Sequence, residues 1–184
     1  WKSLGRLAFR LHATALFGLI GTLFFIMANH YFEFDYVWKH TSLDLAPRYL
    51  FSAFWDGQEG SFLLWMFWNA ILVWILPSSA KSFDVPVVGV FAAVQAFLVS
   101  MILGVYIGDL HLGYSPFILV RELSENVGLP WTQFADYLTR LPNFTDGSGL
   151  NPLLQNYWMT IHPPTLFLGF ASTLVPFSYA IAAL

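Results

Sequence analysis

A histidine followed by two prolines, His162-Pro163-Pro164, is the clearest candidate for chemistry in the sequence. An imidazole titrates near physiological pH, so it can ligate a metal or a haem iron, or hold a proton. Proline has a fixed φ and no N–H, which suits the first turn of a helix. The residue before a proline is pushed out of the helical region. His162 is therefore expected as an extended residue at the lip of a helix that opens at Pro164. A lone histidine more often bonds a neighbouring carbonyl, and spacing alone favours that plainer role. The second candidate is Trp55-Asp56-Gly57-Gln58-Glu59-Gly60. Asp56 and Glu59 have capping-box spacing, at the positive end of a following helix. A cap is the simpler reading; the alternative is an acidic patch that hydrogen-bonds a ligating imidazole. His12, His30, His40 and His111 are further candidates, and the sequence does not pair them. The chain has no cysteine, which excludes disulfides, thiolate ligands and cysteine nucleophiles.

The elements that must position these residues are apolar. Hydrophobic residues make up 57% of the 184 and charged residues 10%, against about 25% charged in a soluble domain. Four apolar runs, about 7–32, 60–76, 87–107 and 164–184, approach the ~20 residues that cross a bilayer. Helices are the only sensible spanning form, since lone strands leave backbone groups unpaired in lipid. The fold class is thus all-α and polytopic, with two long loops, 33–59 and 108–163. Lys2, Arg6, Arg10 and Lys81 crowd the short non-spanning segments, whereas Lys39, Arg48, Arg121 and Arg140 are diluted over the long loops. That bias puts the N-terminus inside and both long loops outside. The loops are rich in aromatics, so they are expected to be structured. Trp131, Phe134, Leu138 and Leu141 recur at helical spacing, which predicts a helix that either lies flat on the outer surface or packs onto other parts of the protein. Asn69 and Gln95 are expected to bond between helices, and Gly104 and Gly108 to form a close helix contact. Trp65 and Trp68 share a helix face suited to anchoring, packing or a flat cofactor. The net charge of −3 and the lack of a basic stripe give no reason to expect nucleic acid. A chain that opens at Trp1 and ends inside an apolar run is expected to be part of a longer protein.

The run Leu150-Asn151-Pro152-Leu153-Leu154-Gln155, with Ile161-His162-Pro163-Pro164 after it, closely resembles the CcmF family of cytochrome c biogenesis proteins, and more distantly its CcsA and CcmC relatives. Trp55 to Trp65 looks like the family's W-G-x-x-E-G-S-x-L-L-W segment, and Ser115-Pro116-Phe117 also matches. The resemblance covers most of residues 30–184. It implies a polytopic protein of the bacterial plasma membrane that holds b-type haem at the periplasmic face. The haem is presented there for covalent attachment to apocytochrome c, as part of a haem lyase, together with other maturation subunits or a haem-delivery protein. By the same resemblance His162 is an axial ligand to the haem iron. Trp55, Trp131 and Trp158 are possible pocket walls. Asn151, Pro152, Gln155, Pro163, Pro164, Asp56, Glu59 and Gly60 are motif positions. Two departures matter. Asp56 and Gln58 stand where the family often has glycine and histidine, so no ligand role passes to position 58. The family's tryptophan-rich WWD core is expected beyond the C-terminus, and the second axial histidine with it, so the segment alone is not expected to complete a haem site.

Two other readings compete. A proton or ion transporter would use His12, Asp56 and Glu59 as relay groups, but the best-patterned residues lie in loops and not along a midplane path. A non-catalytic assembly subunit would dock partners through the loops and bind no cofactor.

Overall fold

The computed structural model describes residues 2–75, 84–108 and 110–184. The expected tight turn around Lys81 lies outside them. Four longer helices form the body: α1 (Lys2–Ala28), α4 (Gln58–Ile75), α5 (Asp84–Ser100) and α7 (Tyr157–Ala182), with short helices α2 (Asp35–His40), α3 (Leu50–Asp56) and α6 (Tyr137–Arg140) in the connections. Two helices, over Ser3–Ala28 and Tyr157–Ala182, are long and apolar enough to cross a membrane, and Val85–Ser100 is a shorter apolar helix. At 1.5 Å per residue the 27 residues of α1 reach about 40 Å.

The central helix is α4, which packs against α1, α3, α5 and α7. Leu63, Met66 and Ala70 on it are fully buried, as are Leu23 and Met27 of α1 and Phe91 of α5. Gln95 Nε2 donates to the Met66 carbonyl at 3.0 Å and ties α5 to α4, as expected of a buried amide. Asn69 is also fully buried, but both its side-chain polar atoms lack a partner, so the expected interhelical bond does not form there.

Three expectations of element placement are corrected. The third apolar run ends its helix at Ser100; the chain then turns and forms a two-stranded antiparallel hairpin, β1 (Val105–Ile107) with β2 (Leu110–Leu112). Gly104 and Gly108 have φ of +62° and serve these turns, so they make no helix–helix contact. The predicted surface helix after Pro130 is broken into a 3-10 turn, Pro130–Gln133, an extended Phe134, and the one-turn α6. The break has a packing cause. Trp131 and Tyr137 sit six apart and would point away from each other on one helix, whereas here their rings meet at 5.4 Å and both touch Phe144. The fourth long helix starts at Tyr157, seven residues before the expected Pro164.

Both long connections fold on one side and lock together. Ser148 N donates to the Trp38 carbonyl at 2.7 Å, Gly149 N to the Thr41 carbonyl at 3.1 Å, and Phe34 bridges Leu119. Leu43 N donates to Asp146 Oδ1 at 2.8 Å. A side chain at Gly147 would collide with the Thr41 carbonyl, so the approach requires glycine.

Candidate functional site

The site grows outward from α3. Phe54 of this helix stacks on Phe24 of α1 at 4.3 Å, which fastens the connecting segments to the bundle. The Tyr36 hydroxyl donates to the Phe54 carbonyl at 2.6 Å. Burial raises the Tyr36 phenol well above its ordinary range, and the nearby Glu59 charge adds to the effect. Gly60 fits beneath this contact: a Cβ there would overlap the Phe54 carbonyl and crowd the Tyr36 hydroxyl. Glu59 lies in the first turn of α4, as the sequence indicates.

Asp56 does not cap that helix. It closes α3, and its Oδ2 accepts from His40 Nδ1 at 2.7 Å. The acidic group therefore pairs with an imidazole, and the partner is His40, which sequence reasoning left unassigned. The contact crosses sixteen residues of chain, and no spacing rule signals it.

Trp55 and Ser52 lie three residues apart on α3 and face α7. Trp55 Nε1 donates to the Met159 carbonyl at 2.7 Å. Ser52 Oγ and Thr160 Oγ1 are 3.0 Å apart. These two α7 residues are the ones that the prolines affect. In a helix the N–H of residue 163 would bond the carbonyl of 159, and that of 164 the carbonyl of 160. Pro163 and Pro164 have no N–H. The Trp55 indole thus supplies the donor that Pro163 lacks. An unsatisfied buried carbonyl costs about 1–3 kcal/mol, so the bond removes much of the penalty for proline at this point. Trp55 itself is buried, and Ser61 Oγ donates to its carbonyl at 2.8 Å.

His162 is accordingly inside a helix, in the second turn of α7, and not the extended lip residue expected from the prolines. The preference of a pre-proline residue for extended backbone is overridden because the helix is nucleated upstream. Asn156 is the N-cap: its side chain accepts from Met159 N at 3.0 Å. The preceding motif builds that start. Asn151 Oδ1 accepts from Leu153 N at 3.0 Å around the Pro152–Leu154 turn, and Gln155 Nε2 donates to the Leu150 carbonyl at 2.9 Å. Sequence reasoning missed Asn156, although an asparagine ahead of an apolar run is a recognised start signal.

The His162 ring is exposed and makes no hydrogen bond among the described residues. Trp158, one turn earlier on the same face, is 72% exposed, and Tyr157 beside it 68%. Trp131 belongs to the aromatic cluster with Tyr137 and Phe144, where burial raises the Tyr137 phenol. Trp65 packs across α4 onto Phe167 and Phe170 of α7. Among the described residues no three His, Cys, Asp or Glu side chains converge as a metal-binding group. His162, with the Trp158 and Tyr157 rings beside it, leaves an imidazole free for a group that takes one ligand from this segment.

The family model described as cytochrome C assembly protein matches residues 55–184. The cytochrome c-type biogenesis protein CcmF of Pseudomonas fluorescens is 32% identical over the whole chain, and CcmF of Escherichia coli strain K12 is 31% identical over 95% of it. The cytochrome c-type biogenesis protein NrfE of Haemophilus influenzae is 27% identical over 90% of it. The chain spans 24% of the length of the first two relatives and 22% of the third. No solved structure matches.

Proposed function

The chain belongs to the cytochrome c assembly protein family, and on that premise we propose that it is the part of a cytochrome c maturation protein that offers one axial ligand to haem at the outer membrane face. The single observation that carries this reading is the exposed, unbonded imidazole of His162, one helical turn beyond the exposed Trp158 ring. His162 as neutral imidazole would hold the iron from one side, and Trp158 would cover part of the macrocycle. The opposite ligand and the rest of the pocket would come from a tryptophan-rich segment elsewhere in the protein. Bound b-type haem would supply the vinyl groups that take up the cysteine thiols of apocytochrome c. The chain itself carries no cysteine that could compete for them.

In this reading α1, α4, α5 and α7 all cross the bacterial plasma membrane. The 18 residues of α4 cover about 27 Å, close to the ~30 Å hydrocarbon core. The N-terminus is cytoplasmic and the interlocked connections are periplasmic. The other maturation subunits would meet the protein on that periplasmic side. The transporter alternative has less support, since Asp56 is engaged with His40 and Glu59 lies in the first turn of α4.

Replacing His162 with alanine in the full-length protein tests the assignment. The expected outcome is loss of most of the co-purifying haem, read as the Soret absorbance per protein, with the same thermal unfolding midpoint. An unaltered spectrum would remove His162 from the site.

A further inference from the structure

The two sequence motifs, one around Trp55 and one around His162, meet in space at a defect in a helix. Pro163 leaves the Met159 carbonyl without its intrahelical donor, and the indole of Trp55 reaches it at 2.7 Å. Ser52, on the same α3 face, meets Thr160, whose carbonyl Pro164 leaves free, through a hydroxyl contact of 3.0 Å. His162 is the residue immediately before the defect. Its direction depends on the backbone between Met159 and Pro163, where the helix lacks its own bonds. The Asn156 cap starts α7 upstream, but two successive intrahelical donors are missing at this turn.

The holder is itself held. The Trp55 carbonyl accepts from Ser61 Oγ, the Phe54 carbonyl from the Tyr36 hydroxyl, and Asp56 from His40. Trp55 is only 8% exposed. An indole fixed at three successive residues of its helix is a rigid donor, whereas an exposed aromatic wall would be free to turn.

We propose that Trp55 is a positioning residue for His162: its N–H replaces the hydrogen bond that Pro163 cannot make and so sets the angle at which the imidazole meets haem. This rests on the reading of His162 as an axial ligand. Groups that orient a metal-bound histidine commonly change metal retention by about 10–100-fold when removed.

The test is a double-mutant cycle in full-length protein. Trp55→Phe removes the indole N–H and keeps an aromatic ring. Pro163→Ala gives the helix a backbone N–H for Met159. W55F is expected to lower haem retention by about tenfold and to shift the remaining haem from the low-spin toward the high-spin absorbance signature. In the W55F/P163A double variant both retention and signature are expected to return most of the way to wild type, because the helix then satisfies its own carbonyl. Recovery of folding by P163A, where W55F alone fails to accumulate, supports the same coupling. Additive losses, a silent W55F, or a double variant that never accumulates would each place the role of Trp55 in its bulk and overturn the proposal. H162A separates this from failure of the ligand reading. If H162A keeps its haem while the cycle still couples in thermal midpoints, the helix clamp stands and its link to haem falls.

Discussion

The phenol of Tyr36 lies 3% exposed between α2, the Phe54 carbonyl and Gly60. Burial first, and then the Glu59 charge, raise its pKa from the ordinary 10.0. A phenol whose folded pKa is raised is favoured in its neutral form. Its contribution to stability is complete below the unfolded value near 10.0 and is lost as pH climbs from there toward the folded value. Unfolding followed by urea should therefore show stability declining from about pH 10 upward, with part of the slope due to Tyr36. Tyr36→Phe should remove that part and cost about 1–3 kcal/mol at neutral pH, since the Phe54 carbonyl stays buried without a donor. A pH profile identical to wild type would dissociate the phenol from the framework.

At the scale of the element, α7 depends on what precedes it. Its first turn is capped by Asn156, and Gln155 and Asn151 shape the turn that delivers the cap. Asn156→Ala should cost about 1 kcal/mol, measured as a lower thermal midpoint, and hydrogen exchange should quicken in residues 157–161 but not in the later turns of α7. Exchange unchanged there would mean that packing against α3 and α4, and not the cap, starts the helix. A contrasting element is the end of α5. Gly113, at φ +67°, lies against the Met101 backbone, and Tyr114 N donates to the Met101 carbonyl at 3.2 Å. Those contacts turn an apolar run into a hairpin where the run itself suggested continued helix.

Across the whole molecule the two long connections behave as one layer, joined by backbone bonds between 38–41 and 148–149 and by the Leu43–Asp146 contact. Both must then lie on the same side of any bilayer that the long helices cross. These 184 residues contain no cysteine, so single cysteines can be introduced into them in full-length protein whose remaining cysteines, where present, are replaced by serine. A single cysteine at Leu153, which is 83% exposed, should react with an impermeant maleimide in intact spheroplasts. One at Ser3 in α1 should react only after lysis. The opposite pattern would invert the orientation and place His162 in the cytoplasm.

Composition and run length were enough to specify a bundle of apolar helices with aromatic, structured connections, because the balance of buried and polar surface is a property of the sequence alone. The residues around positions 56 and 162 stood out in the sequence, but their local geometry did not follow from it: Asp56 closes α3 and pairs with His40, and His162 lies inside α7. Contacts across long stretches of chain were not legible either. His40 with Asp56, Ser52 with Thr160, and Trp55 with Met159 each depend on two helices reaching a particular separation, which no local spacing encodes. The prolines illustrate the difference. Read locally, they say that the helix begins at Pro164; in the folded molecule the Asn156 cap starts it earlier and a distant indole supplies the donor that Pro163 lacks, so the helix runs through both prolines and carries His162 on its surface.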